Sequence, residues 1–457
     1  MSAASASSAQ QVASSTNGVE KYETLSSLYH GDAIPFTLRD LKEAIPKHCF
    51  QRPVMTSMLH VISDLVQLVA YTVAYYYFSN LLESWWFSNP SLLVLSPIYY
   101  LLQSILFCSY VFIEGVTFTG LWVLQHECGH YAFADSPLVC DIVGYLIGSA
   151  LLVPYFAWQK SHAIHHANTN HMTRDQTWVP QNIQPVPSHN PAEKPEETKN
   201  VQMKPKSESA FSAVVDMIVM ATIGWPLHLL VNISGPIKEN FYAYYAKGIR
   251  YEPAMINDNG EHDAENEYSD YKQVSKKSPI SFTSHFLPSS PIFNKSEFFK
   301  IHLSNFGVIA MLYIVYQLFQ VFGWQVMVTT YVLPLLVQFF FLTTLTFLQH
   351  VHDDIPHLDE GEWNWLKGAI CTVDRSFGSF LDSKLHHITD THVCHHIFSK
   401  IPFYHAEEAT RAIRTKLGVY HKDETSKSFF GALYHNLQHC VALKRNEKHR
   451  GILWWDH

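Results

Sequence analysis

Charge is scarce in this chain. Asp, Glu, Lys and Arg make up 16% of its 457 residues, against roughly 25% in an ordinary soluble domain. The shortage is local, with no Lys or Arg from Pro53 to Gln159 and none from Ile301 to Leu366. Two cation-free territories of that length point to a membrane protein. Basic runs are missing as well, and with a net charge of −8 this argues against nucleic acid as a partner. The seven cysteines include no C-x-x-C pair and suit reduced thiols of a cytosolic or membrane protein rather than a disulfide framework. Residues 1 to about 20 are rich in Ser, Ala and Gln and lack the apolar core of a signal peptide, so a disordered tail is expected there. Gln181 to Ser209 and Asn257 to Lys277 are polar and read as solvated loops.

What the chain has instead is apolar and aromatic length. Aromatic residues reach 14%, with 29 Phe and 24 Tyr. A bilayer core asks for about 20 apolar residues per helix, and each territory divides into a hairpin of two spans, near 58–81 and 93–122 and near 301–322 and 327–348. The second span reaches about thirty residues, roughly 45 Å of helix against about 30 Å of hydrocarbon, so it is expected to project beyond the bilayer. The runs Leu138 to Trp158 and Ala213 to Ile233 are interrupted, by Asp141 and Pro154 in one and by Asp216, Gly224-Trp225-Pro226 and His228 in the other. Both read as interfacial segments lying along the membrane. Positive charge stays on the cytosolic side. Lys42, Lys47 and Arg52 precede the first span and Lys295 and Lys300 the third, whereas the turns Leu82 to Ser91 and Gly323-Trp324-Gln325 carry no basic residue. Both termini are therefore expected in the cytosol. Residues 1–52 then form a tail and pre-membrane segment, 53–412 the membrane-bound domain, and 413–457 a cytosolic C-terminal segment.

Histidine is abundant, at 28 residues. Eight fall in three clusters, His126-Glu-Cys-Gly-His130, His162-Ala-Ile-His165-His166 and His392-Val-Cys-His395-His396. Residues three and four apart share a helix face, so each cluster can aim two or three imidazoles in one direction. Neutral imidazole binds iron, copper, zinc and nickel, and eight donors exceed the four that one tetrahedral ion takes, so two ions are implied. His350, closing the fourth span, is a ninth candidate, with His352 behind it. The topology puts all four groups on one side of the membrane. Nitrogen-rich sites with open positions suit iron chemistry with dioxygen. Lone histidines such as His60 and His228 read as structural. The first cluster also matches H-E-x-x-H, in which two His hold zinc and the Glu activates water. An intramembrane zinc metalloprotease is therefore the alternative from another class, although it leaves two clusters without a role. A metal transporter would need several ionisable residues inside the spans, and Asp64 and Glu114 are too few.

Beyond the clusters stand Ile45-Pro-Lys-His-Cys-Phe50, Gly224-Trp225-Pro226-Leu227, Ser284-His-Phe-Leu-Pro-Ser-Ser-Pro291, Glu362-Trp-Asn-Trp365 and Tyr404-His-Ala-Glu-Glu-Ala-Thr410. Together these residues resemble the membrane-bound fatty acid desaturases, specifically the oleate-type Δ12/ω-6 group with its ω-3, hydroxylase and acetylenase relatives. The resemblance runs from Ile45 to about Ala412. It implies an all-α membrane protein of the endoplasmic reticulum, with four transmembrane helices in two hairpins and a cytosolic helical cap. In that cap His126, His130, His162, His165, His166, His392, His395 and His396, with His350, would hold two non-haem irons that use O2 as co-substrate. Acyl lipid or acyl-CoA would be the substrate. No His-Pro-Gly-Gly haem motif is fused to the chain, so cytochrome b5 and its reductase are the implied electron donors.

The implied reaction inserts a cis double bond, most simply by Δ12 desaturation of oleate to linoleate. A diverged acetylenase, ω-3 desaturase, hydroxylase or epoxygenase on the same scaffold is the alternative. Glu127, Asp175 and Asp390 are candidates to orient ligand imidazoles through their second nitrogens. The chain departs from the family pattern at Gln125, where Ala or Gly is usual, at Ala163 and Ile164 within the second cluster, and at Cys394 in the third. These four are candidates for steering the product, because substrate placement to about 1 Å decides how such a reaction ends.

Overall fold

The computed structural model describes residues 25–31, 34–180, 183, 210–236 and 283–456. The tail at residues 1–20 and the two expected loops, Ile183 apart, lie outside the described residues. Helix α1 (Leu38–Ala44) opens on a capping box in which Thr37 and Asp40 exchange hydrogen bonds, satisfying backbone donors that the first helical turn leaves unpaired. Then come α2 (Val54–Phe87) and α3 (Ser96–Gly129), each of 34 residues, followed by α4 (Pro137–Ala150) and α5 (Tyr155–Ala167). Helix α6 (Ala210–Val219) passes through a π-turn at Met220–Gly224 into α7 (Trp225–Val231). The missing N–H of Pro226 suits that break in the hydrogen-bond ladder. The second hairpin is α8 (Phe298–Phe322) and α9 (Leu333–His350). Gly323 makes its turn at φ 82°, a backbone region closed to most side chains.

Among the described residues four helical stretches are long and apolar enough to cross a bilayer, Val54–Phe87, Ser96–Gly129, Lys295–Phe322 and Trp324–His350. Three of the four expected spans fall within them, as does the second from residue 96 on. Burial divides the second span along its length. Every residue of α3 from Glu114 to Cys128 is buried, whereas Tyr100, Leu101 and Ile105 face outward. Glu114 stands about 27 Å from the start of the helix at 1.5 Å per residue, close to the thickness of the hydrocarbon core. The last four turns of α3 therefore belong to the cap.

Helices α3 and α9 form the central pair, with α2 against α3 and α8 against α4 and α5. Gly115 sits at the crossing of α3 and α9, where a Cβ would press on the Val337 side chain and stand 2.9 Å from the Pro334 carbonyl oxygen. Helices α4 and α5 meet at 110°, turned by Leu152 at φ 57° and by Pro154, which caps α5. The run Leu138 to Trp158 is thus not one straight span, and neither half, at about 20 Å, would cross alone. Asp64 and Glu114 do not line a path: Asp64 pairs with His386 at 2.8 Å and Glu114 accepts from Thr72 at 3.0 Å.

The cap is completed by α10 (His392–Ile397), α11 (Phe403–Leu417) and α12 (Phe429–His439). A small antiparallel sheet joins β1 (His357–Leu358), β2 (Leu443–Arg445) and β3 (Ile452–Trp455) in the order β1-β3-β2, with His357 and Arg445 flanking Leu453. It adds to the helical architecture an element too short for residue alternation to reveal. Through it the C-terminal residues join the cap core, where Leu453 and Trp455 pack with Leu348, Val351 and Leu433. All seven cysteines are free. Replacing Gly115 by Val should force α3 and α9 apart and lower stability by about 1–3 kcal/mol, the usual range for overpacking. Gly361→Ala, where a Cβ meets nothing within 4 Å, should be silent in the same thermal-unfolding measurement.

Candidate metal centre

Each histidine cluster rides on a helix end. His126 lies in the last turn of α3 and His130 caps it. His162, His165 and His166 lie in the last turns of α5, and His392, His395 and His396 occupy the i, i+3 and i+4 positions of the six-residue α10. His350 is the last residue of α9. The spacing that puts each set on one face thereby aims four helix ends at a single volume.

Within that volume the rings form two groups. One nitrogen from each of His126, His130, His162, His166 and His395 lies within 4.8 Å of the others, and the same holds for His165, His350 and His396. His392 joins the second group, its Nε2 3.0 Å from that of His350, which is in turn 3.2 Å from Nε2 of His165. The rings of His166 and His396 stack at 4.0 Å and link the groups.

The donor chemistry fits metal. Burial and the surrounding imidazoles hold His392, His395 and His396 well below the ordinary histidine pKa, which leaves each ring neutral with a lone pair to give. His162 Nε2, both nitrogens of His166, His395 Nε2 and His396 Nε2 are buried without a hydrogen-bond partner. Each such orphan costs about 1–3 kcal/mol unless something satisfies it, and a cation that accepts lone pairs satisfies several at once.

Outside the rings, Asp175 is placed to orient a ligand imidazole. Its Oδ1 lies 2.6 Å from His165 Nδ1 and its carboxylate accepts from the backbone N–H of Asn170 and Thr177 at 2.8 and 3.0 Å, so the acceptor is itself held. That bond turns His165 Nε2 inward. The other two carboxylates are placed differently. Glu127 accepts the Phe403 N–H at 3.0 Å, with its other oxygen 3.8 Å from His126 Nδ1. Asp390 pairs with His387 at 3.0 Å rather than with a cluster histidine. His352 turns away to Glu424 at 3.4 Å.

Several neighbours were not singled out from the sequence. The Thr169 hydroxyl lies 3.1 Å from His396 Nδ1 and leaves Nε2 facing the cluster. Trp122 stacks on His126 at 5.5 Å and Trp158 on His162 at 4.7 Å. Each Trp stands four residues before the histidine it covers, a helical spacing legible in the sequence. Thr169 pairs across 227 residues, and no local pattern signals that.

Beside the rings opens an apolar cavity of about 250 Å³. Its inner wall includes His126, His162, His165, His350 and His392, and its sides include Trp122, Trp158, Trp225, Met220 and Thr343. Gln125, Ala163, Ile164 and Cys394 are not among its lining residues, nor is Glu127. Gln125 is buried and faces α4 at Gly148, while Cys394 lies behind the third cluster against the small hollow lined by Glu127 and His386. Asp175→Asn should keep the fold but weaken metal retention by about 10–100-fold, the usual effect of losing such an orienting carboxylate. Metal content after dialysis against a weak chelator reads this directly.

Known proteins carry the same pattern. The profile of the fatty acid desaturase family matches residues 99–193 and 278–426. A Delta(12) fatty acid desaturase of Calendula officinalis is 36% identical over 423 residues, covering 92% of this chain and 93% of that protein. An omega-6 fatty acid desaturase of Glycine max, named as an endoplasmic reticulum isozyme, is 36% identical over 433 residues, covering 92% and 90% of the two chains. A Delta(12)-fatty-acid desaturase of Arabidopsis thaliana is 33% identical over 425 residues and covers 92% of each. With its spans, its histidine centre and these relatives over nearly its whole length, the chain belongs to the fatty acid desaturase family.

Proposed function

We propose that this desaturase acts on oleate esterified in membrane lipid, forming linoleate by Δ12 desaturation. In this reading His126, His130, His162, His165, His166, His350, His392, His395 and His396 hold two non-haem irons at the cytosolic face of the endoplasmic reticulum membrane. The observation that carries it is the apolar cavity with imidazoles for an inner wall. The names of the relatives support the position of the double bond and the membrane. When bound, the irons supply activation of O2 for removal of two hydrogens from adjacent methylenes, with oxygen leaving as water, two protons taken up and two electrons drawn from cytochrome b5 and its reductase.

The residues of the chain do the placing. A methylene segment offers nothing to hydrogen-bond, so a close-fitting dry channel is the means of holding it against the metal centre. Trp122, Trp158 and Trp225 make rigid walls and keep water out. Met220, in the π-turn after α6, lines the cavity, while Phe211, Val214 and Ile218 of α6 face outward, three and four residues apart on one face. That face lies against lipid, and the acyl chain passes beneath it laterally from the bilayer. Asp175 and Thr169 fix ring orientation at His165 and His396. Gln125, Ala163, Ile164 and Cys394 stand behind the rings, so their influence on product runs through the seating of the imidazoles rather than through contact with substrate.

Expression in a eukaryotic host that makes oleate but no polyunsaturated acids tests the reading, with double-bond positions localised by mass spectrometry. The expected new product is linoleate. An alkyne or an oxygenated acid would reassign the outcome of the reaction, and no new acid from oleate or fed linoleate, with the protein present, would overturn the substrate. The cavity is tested separately by Thr343. Its Cγ2 stands 2.7 Å from where a Cβ on Gly224 would lie, and both residues line the cavity. Thr343→Phe should cut product at least tenfold while iron per chain stays unchanged, and an unaffected product yield would remove this cavity from the acyl path.

A further inference from the structure

Two stretches that the acyl chemistry leaves unused meet on the outside of the cap. Ile45-Pro-Lys-His-Cys-Phe50 ends in a single 3-10 turn, Lys47–Phe50, that carries His48 and Cys49. Tyr404-His-Ala-Glu-Glu-Ala-Thr410 lies in α11, where His405 and Glu408, three residues apart, share a face. More than 350 residues separate these pairs in the chain, yet one donor atom from each of the four lies within 4.8 Å of the other three. The His48 Nε2 is 2.8 Å from a Glu408 oxygen and 3.8 Å from the Cys49 sulfur, and the rings of His48 and His405 stand 5.4 Å apart.

We propose that His48, Cys49, His405 and Glu408 form a third metal site, built for Zn2+ or a similarly thiophilic divalent cation, separate from the nine-imidazole centre. The donor set is the kind zinc takes, two imidazoles, a thiolate and a carboxylate. Tetrahedral zinc at the usual bond lengths of about 2.0–2.3 Å spaces its ligand atoms by about 3.3–3.7 Å. The cluster therefore brackets the required separations and closes with side-chain movements of about an ångström. Thiolate and carboxylate together supply two negative charges against a divalent ion. Cys49 is fully buried, while the side chains of His48 and Glu408 are about half exposed, at 50% and 44%, so one donor waits inside and others close from solvent.

In the absence of metal, burial and then the nearby Glu408 carboxylate push the Cys49 thiol up to about 11. It is then protonated, and binding moves that proton to solvent as the Zn–S bond forms. A plain ion pair between His48 and Glu408 accounts for less. A half-exposed pair is worth little, and it needs neither Cys49 nor His405. A cation here would pin the pre-membrane segment to α11, whose Phe403 N–H holds Glu127 beside His126.

The test uses the full-length, iron-loaded protein in lipid nanodiscs, equilibrated with Zn2+ and freed of excess. Zinc and iron per chain are counted by mass spectrometry, and a parallel sample is loaded with Co2+. The expected result is one zinc beyond the iron and a thiolate-to-cobalt charge-transfer band, both lost in Cys49→Ser and His405→Ala with iron unchanged. Because only Cys49 supplies a thiolate in this cluster, the band separates it from cobalt bound at the histidine centre. Equal zinc in wild type and Cys49→Ser, or no thiolate band in wild type, overturns the proposal. Should either variant lose its iron or its unfolding transition, Glu408→Gln at the half-exposed position decides: zinc affinity at least tenfold weaker upholds the site, and unchanged affinity overturns it.

Discussion

Nine imidazoles taken out of water and packed ring against ring form the constraint on which this structure turns. Their nitrogens are too close and too buried to be charged together, and several have no protein partner. Such an array holds together by giving its lone pairs to cations. Everything next to it follows from that need: Asp175 takes the outer nitrogen of His165, Thr169 that of His396, and stacked tryptophans close the space around His126 and His162. The inner nitrogens are left with one direction to face.

The membrane spans exist to deliver these rings to one place. Helix α3 (34 residues) and the 27-residue stretch Trp324–His350 that ends in α9 are longer than a bilayer requires, and their ends carry His126, His130 and His350 into the cap. The two helices can approach closely because Gly115 leaves room for Val337 and Pro334. Helices α4 and α5, bent through 110°, instead bring the second cluster in from the side. The cavity between these helix ends and α5 has imidazoles on one wall and apolar side chains such as Trp225 and Met220 on the others. An apolar chain is the natural occupant of such a space, since no polar ligand would recover its hydration there.

The cap has a second concentration of donors, on its outer side and of different chemistry. The inner centre is all nitrogen and enclosed, whereas the cluster at His48 and His405 mixes sulfur, nitrogen and oxygen at a half-exposed edge. Hard and soft donors sort metals by type, so the outer site, with its thiolate, would favour thiophilic cations more strongly than the all-imidazole centre. Helix α11 is common to both, through Glu408 on one face and the Phe403 backbone on the other.

Much of this was legible before any coordinates. Cation-free length marked the four spans, and i, i+3 and i+4 spacing marked the eight cluster histidines, because both are local signals with the period of the helix. His350 was visible as the polar end of an apolar run. The tryptophans before the first two clusters obeyed the same spacing. Asp175 could be named but not told apart from Asp390, since each stands near a cluster in sequence and only the fold turns one toward His165 and the other toward His387. Gln125 drew notice as a departure from pattern, yet helix rotation sends it toward Gly148 and away from the cavity. The small sheet, the Thr169 contact and the meeting of His48 with His405 had no local signature at all. Local periodicity was thus enough for the membrane class and the candidate ligand histidines, and the motifs beyond the clusters for the family resemblance. Only the tertiary structure decided the partners of each ring, the shape of the cavity and the second donor cluster, because those rest on contacts between residues hundreds of positions apart.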